Sequence, residues 1–329
     1  MKIFVYELVT GGGLPGEPPP ASLVHEADLM LRTLLDDLAE VPGLRVLTCR
    51  DPGLAPLPGV EALTPAGDDF LTSYDRGLAS CDAAWPTAPE TGGALELLAR
   101  RTLDRDRVLL GCRPEAVRLA ASKHATATVL GRAAIPVVPT FNSSRDLPPI
   151  AGPWIVKPDD GAGALGVRRV AGWREAAEQL DAGAGRWVAE PWVEGDARSL
   201  SLLCDGGRSL LLACNRQQVD IVDGVISLTG IDVNAVADQS GNLARLGSEI
   251  AAAIPSLWGY VGVDFIETAA GPVVVEINPR LTTSYCGLRR AIGANVAAMV
   301  LGLLDGRATW SAGTGSPQEV APMLESGHE

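Results

Sequence analysis

The stretch IVKPDDGAGALGVRRV, residues 155–170, sets Lys157 ahead of three glycines, Gly161, Gly163 and Gly166, in G-x-G-x-x-G spacing. Such glycines let a backbone approach a ligand with no Cβ in the way, and their N–H groups can close over phosphate oxygens. A dinucleotide-binding turn needs a helix straight after the glycines, so that its N-terminus receives the pyrophosphate. Here VRRV follows, which reads as a strand, and the dehydrogenase reading fails on that context. In a P-loop the lysine comes after the glycines, and in a protein kinase it lies on a later strand, so both fail on order. The unit that remains is strand, Gly-rich loop, strand. It describes a lid in which Lys157 can reach α- or β-phosphate oxygens while loop amides cover the γ-phosphate.

Three further segments carry matching chemistry. In VAEPWVEG, Glu190 can accept from the exocyclic amine of a purine, the backbone around Trp192 and Val193 can bond its ring, and Glu194 or Asp196 can hold ribose hydroxyls. Alone, that segment is equally well explained as a surface strand end. In GVDFIE and VVVEINPR, Asp264 sits on one apolar strand while Glu276 and Asn278 alternate on the next. Period-two geometry places Glu276 and Asn278 on one face, and hairpin pairing brings Asp264 beside them. Hard oxygen ligands that converge in this way suit Mg2+ shared with phosphate oxygens. A carboxylate inside VVVEI needs a partner, which makes a purely structural role unusual. Arg280, just beyond, can reach a γ-phosphate or a developing oxyanion. Ser122-Lys123 supplies a second cation ahead of the lid.

The elements that must position these groups alternate at first. Residues 2–9 read as a strand ending in the Gly/Pro-rich TGGGLPGEPPP, and SLVHEADLMLRTLLDDLAEVPG as a helix with a Pro-Gly stop. LRVLTC and CDAAWPTAP read as strands, ETGGALELLARRTLD as a helix and RVLLGC as a strand. Residues 1–115 therefore form an open parallel α/β unit. PEAVRLAASKHATATVLGRAAI reads as one long helical stretch. Short strands follow, broken by helices at WREAAEQLDAG and NLARLGSEIAAAI, with the last helix near ANVAAMVLGLLDG. Residues 311–329 read as a flexible tail.

Composition narrows the function classes. The chain has 329 residues, 47% hydrophobic and 20% charged, with a net charge of −13. No basic stripe for nucleic acid is visible, and no apolar run reaches the ~20 residues of a membrane span. An anionic ligand must therefore be met by a few placed cations or a metal. The N-terminus reads as a strand rather than a signal peptide, and the six cysteines are scattered without a C-x-x-C pair, so reduced thiols and a cytoplasmic location are expected. His25, His124 and His328 are the three histidines and no G-x-S-x-G occurs, which disfavours a hydrolase.

The lysine ahead of the lid, the lid lysine, the purine strip and the hairpin ligands, in this order, resemble the ATP-grasp superfamily over roughly residues 115–305. The resemblance implies a two-subdomain α+β fold, with a lid subdomain at 116–195 and a metal-binding subdomain at 196–310, behind the N-terminal α/β domain. It implies ATP and Mg2+, for which Mn2+ can substitute. Lys123 and Lys157 match the ATP lysines; Glu190, Trp192 and Val193 the adenine strip; Asp264, Glu276 and Asn278 the metal ligands; and Arg280 the arginine that often follows them. One departure stands: the position matching the ribose acid is Ala197, so Asp196 or Glu194 must serve.

FVYELVTGGG, WPTAPETGG and EINPRLTTSY are similar to tyramine–glutamate ligases of methanofuran-type cofactor biosynthesis and related carboxylate–amine ligases. This narrower resemblance implies an acceptor site with Glu26, Glu90 and Thr91 as candidates to hold an amine. Thr282, Thr283, Ser284 and Tyr285 would lie near the carboxylate substrate. The partners are then a small carboxylate and a small amine, with no nucleic acid and no membrane; a homodimer is the assembly such relatives suggest. The chemistry needs no protein nucleophile, because the substrate carboxylate takes the γ-phosphoryl group and an amine displaces phosphate. Another amino-acid or dipeptide ligase, or a non-catalytic nucleotide-binding relative, are the alternatives.

Overall fold

The computed structural model describes residues 1–14, 19–66, 69–161, 163, 165–183, 185–307 and 316–321. Its N-terminal sheet consists of β1 (Lys2–Glu7), β2 (Arg45–Cys49), β3 (Glu61–Leu63), β4 (Ala83–Thr87) and β5 (Val108–Leu109), in the order β3-β2-β1-β4-β5. Every neighbour pair is parallel. Helices α1 (Ala21–Ala39), α2 (Phe70–Leu78) and α3 (Ala94–Asp104) cover both faces. The alternation along β1 explains why. Phe4 and Tyr6 join the buried cluster holding Tyr74, Leu78 and Leu98, while Ile3 and Val5 join that of Leu31, Leu34 and Leu38. Each such side chain contributes about 1.5–3 kcal/mol by leaving water. The order reverses between β1 and β4, and ligands of open α/β sheets gather at the strand ends of such a switch.

Helices α4 (Pro114–Ala120) and α5 (Lys123–Arg132) then lead to the second sheet. Its strands are β6 (Trp154–Pro158), β7 (Arg168–Val170), β8 (Trp187–Pro191), β9 (Asp196–Asp205), β10 (Arg208–Val222), β11 (Val225–Val233), β12 (Gly259–Thr268), β13 (Gly271–Asn278) and β14 (Gln318–Val320). The order is β13-β12-β9-β10-β11-β7-β6-β8, with β14 on β11, and all recorded pairings are antiparallel. α6 (Trp173–Ala182) packs on β6 and β8 around Trp154, Val156 and Leu180. α7 (Asn242–Ala253), α8 (Tyr285–Ile292) and α9 (Val296–Leu304) complete the described elements. No single described helix is long and apolar enough to cross a membrane.

The expected fold class, a parallel α/β unit followed by an antiparallel α+β unit, matches what is observed. Four local expectations change. The helical stretch from Pro114 is two helices, because the Ser122 hydroxyl accepts from Ala125 N–H at 3.1 Å and caps α5 afresh. The helix expected from Glu90 starts at Ala94, since Gly92 and Gly93 turn the chain at φ +64° and +74°. β3, α2, β11 and α8 had no counterpart in the sequence reading. Within the span expected as a tail, Gln318–Val320 pairs with β11; positions 308–315 and 322–329 lie outside the described residues.

Candidate active site

β12 and β13 pair Asp264 opposite Glu276 and Gly262 opposite Asn278. The register shifts between Asp264 and Phe265, with Phe265 opposite Val274, so Val275 is the extra residue of a bulge. This bulge turns Val274 into the core beside Phe265 while Glu276 faces a cavity. Asn278 Nδ2 donates to Asp264 Oδ2 at 3.1 Å, and Gln217 Nε2 to Oδ1 at 3.0 Å. Burial, with the facing Glu276 carboxylate, pushes the Asp264 carboxyl up to about 7. Burial also opposes charge on Glu276, but the Lys123 and Lys157 ammoniums outweigh it and hold that carboxyl below its ordinary value. Two facing carboxylates with an amide oxygen beside them form a hard-oxygen set that fits Mg2+, and a cation there would offset the charge that raises Asp264. Among the described residues no cluster of three or more His, Cys, Asp or Glu side chains could hold a metal. The set is two carboxylates and an amide, suited to a cation that completes its shell with phosphate or water.

The two lysines reach this floor from different elements. Lys123, at the first turn of α5, lies 3.3 Å from Glu276 and donates to the Gly161 carbonyl at 2.6 Å. Asp159 secures the junction, accepting from the Ser122 hydroxyl at 2.7 Å and the His124 amide at 3.0 Å. His124 itself bonds the Thr140 carbonyl through Nδ1, in keeping with a structural rather than a basic role. Lys157, on β6, is paired with Glu190 of β8 at 2.8 Å, both side chains being 5% exposed or less. Glu190 also accepts from the Thr140 hydroxyl at 3.0 Å. The carboxylate expected to meet a purine amine is thus also the anchor of the lid lysine.

The remaining strip divides. Trp192 and Val193 line the cavity, but the Trp192 amide is already bonded to the Pro153 carbonyl at 3.0 Å and Arg169 stacks over its ring. Of the two ribose candidates, Asp196 lines the cavity, while Glu194 accepts from the Trp192 indole at 2.7 Å and does not line it. Gly161 and Gly163 line the cavity as well. Gly166 does not: its φ of +74° turns the loop, and a Cβ there would meet Pro158 at 3.3 Å.

Arg280 also lines the cavity, and a bidentate pair with Glu90 anchors it. Burial opposes the guanidinium's charge, but Glu90 outweighs it and Arg280 stays charged. Glu90, expected to hold an amine, is therefore spent on Arg280 and is not among the lining residues. Thr91 donates to the Asp160 carbonyl at 3.0 Å and is not at the cavity either. Glu26, from α1, does line it and accepts from the Thr283 hydroxyl. Thr282 and Ser284 line it too, within a group of hydroxyls around Tyr260: Thr282 at 2.8 Å, Ser284 at 3.1 Å and Ser201 at 3.1 Å. Tyr285 turns away to Asp37 at 2.7 Å.

One cavity of about 750 Å3 gathers the hairpin acids, both lysines, Arg280 and the glycine loop. Sequence reading passed over Ser199 and Gln217 as parts of its polar wall, and Tyr260 as the buried hydroxyl behind Thr282 and Ser284. A signal existed for Gln217, since LLACNRQQV breaks an apolar strand with a run of polar residues at 215–218.

A family model described as ATP-grasp domain matches residues 120–284, which span the lid, the lysines and the hairpin acids. The chain belongs to the ATP-grasp family. A second model, the pre ATP-grasp 3 domain, matches residues 44–117. This ATP-grasp chain is 24% identical over 273 residues to a tyramine–L-glutamate ligase of Methanocaldococcus jannaschii, covering 82% of this chain and 80% of that one. Among solved structures it is similar to a putative ATP-grasp superfamily protein from Archaeoglobus fulgidus, with a TM-score of 0.73 and 24% identity over 98% of this chain and 92% of that chain. It is also similar to an L-amino acid ligase from Bacillus licheniformis, with a TM-score of 0.64 and 16% identity over 95% and 75% of the two chains.

Proposed function

We propose that this ATP-grasp chain is an ATP-dependent ligase that joins a carboxylate to an amine through an acyl phosphate and releases ADP and phosphate. The observation that carries this reading is the convergence of Asp264, Glu276, Lys123, Lys157 and Arg280 on one cavity that also opens onto Glu26, Thr282 and Ser284. Groups able to neutralise phosphate beside hydroxyls and a carboxylate support a reading with two small substrates. Asp264, Glu276 and Asn278 would hold a divalent cation, which when bound neutralises phosphate charge. The lysines and Arg280 meet the rest of that charge, and the glycine loop closes to exclude water. The substrate carboxylate oxygen attacks the γ-phosphorus, and ADP leaves. The amine nitrogen then attacks the acyl carbon, phosphate leaves, and the nitrogen gives up a proton. Glu26 sits where a carboxylate can hold the amine as it approaches.

Glutamate as the acid and tyramine as the amine form the finer reading, supported by the likeness to the Methanocaldococcus jannaschii enzyme over most of both chains. Residues 1–115, 116–195 and 196–310 are the units we assign to acceptor site, lid and metal floor. The free cysteines, five of them buried, suit a reducing cytoplasm.

A coupled ADP-release assay with Mg-ATP over a grid of acids and amines tests the reading, with products checked by mass. ADP release that requires both glutamate and tyramine, with a product of their summed mass less water, is the expected result. Release with another pair keeps the ligase and discards these substrates. A Glu276→Ala protein that still releases ADP at the wild-type rate would refute the assignment of the metal floor.

A further inference from the structure

Arg280 reaches back across the molecule to a turn at the end of the N-terminal sheet. Its Nε donates to Glu90 Oε1 at 3.0 Å and Oε2 at 3.2 Å, and its Nη2 donates to Oε2 at 3.1 Å. Nη1 donates to the Leu281 carbonyl at 3.1 Å. The two side chains are 13% and 7% exposed, so the pair is largely withdrawn from water. A guanidinium carries five N–H donors. These bonds occupy the one on Nε and one on each terminal nitrogen. Among the described residues, one N–H on Nη1 and one on Nη2 remain. A guanidinium gripped along one edge by a carboxylate, with donors left on both terminal nitrogens, is a preset fork for a second oxyanion.

The same turn also grips the lid. The Thr91 hydroxyl donates to the Asp160 carbonyl at 3.0 Å and the Gly92 amide to the Asp160 carboxylate at 3.1 Å. Asp160 directly precedes Gly161, whose carbonyl holds Lys123 at 2.6 Å. The left-handed pair Gly92 and Gly93 allows this bend, so that Glu90 faces Arg280 while Gly92 faces the lid base. Three consecutive residues thus set the arginine and the lid in register with each other.

We infer that Glu90 is a positioning residue that fixes the plane of Arg280, so that its remaining donors meet the transferring phosphoryl group. This inference rests on the ligase reading of the cavity. It also assigns Glu90 a task different from binding an amine, because both of its oxygens are already engaged. A Gln at this position would keep the size and one acceptor, but its NH2 would face a guanidinium N–H, and the plane would be released.

The test measures, by calorimetry, the binding of ADP and of a β,γ-imido analogue of ATP with Mg2+. The proteins are wild type, Glu90→Gln, Arg280→Ala and the double variant. ADP lacks the γ-phosphate, so all four proteins are expected to bind it with wild-type affinity, which also shows that they are folded. The analogue is expected to bind at least about tenfold more weakly to both single variants, as losing a charge-assisted bond predicts. The double variant is expected to be no worse than Arg280→Ala alone, since Glu90 acts through the arginine. The proposal is overturned by Glu90→Gln binding the analogue like wild type, by Glu90→Gln losing ADP and analogue in parallel, or by additive losses in the double variant. If Arg280→Ala itself keeps wild-type affinity for the analogue, the phosphate role of the arginine falls, and Glu90's role with it. No acid or amine enters the assay, so a wrong substrate pair cannot be confused with either failure.

Discussion

Glu7 ends β1 with its carboxylate buried, accepting from the Val9 amide at 3.2 Å and the Thr10 amide at 2.7 Å. Those bonds favour the charged form, but burial outweighs them and raises its pKa above the ordinary 4.5. The consequence for stability has a definite sign. The unfolded chain releases this proton first, so the native state is favoured below about 4.5 and loses that advantage as pH rises through the native pKa. Glu7→Gln removes the titration. Its melting temperature relative to wild type should therefore increase between about pH 4 and about pH 7. A difference that stays flat, or that runs the other way, in thermal melts across that range would show that the amide bonds dominate. Lys157 and Glu190 offer a contrast: two buried charges compensate each other directly at 2.8 Å, where Glu7 has hydrogen-bond donors and only the more distant charge of Arg280.

Among the elements, α5 shows how a cap and a cavity-lining lysine share one joint. Ser122 breaks the helical run, caps α5 through Ala125 and donates to Asp159, while Lys123 follows at the first turn. Ser122→Ala loses both bonds. The expected cost is about 1 kcal/mol, read as a lower chemical-denaturation midpoint at unchanged slope. An unchanged midpoint would mean that the break in the helix is held by packing alone. The β12–β13 hairpin makes a similar point with its bulge, since a regular ladder would put Val274 and Glu276 on the same face.

For the molecule as a whole, the cavity is shared out: α1 supplies Glu26, α5 and β6 the lysines, and β12 and β13 the acids. A ligand that bridges elements so far apart in the chain binds only the folded state, so it should stabilise all of it. At about 100 times its Kd, Mg-ATP should raise the melting temperature by on the order of 5 °C in a single transition. Chelating the divalent cation should remove most of that shift. A shift of equal size without the cation would count against the metal floor of Asp264, Glu276 and Asn278.

The sequence by itself determined what depends on near neighbours. Alternating apolar residues fix β1, β12 and β13, and Glu276 and Asn278 share a face because side chains alternate along a strand. The order of lysine, glycines and strand ruled out three other phosphate-binding motifs. The tertiary structure alone decided the pairings between distant segments. Arg280 meets Glu90 across 190 positions and Thr283 meets Glu26 across 257. Periodicity says which face of an element is apolar, but not which residue of another unit will pack against its polar groups. For that reason Glu90 read as a free carboxylate until the two sheets were brought together, and only their packing showed that its charge belongs to Arg280.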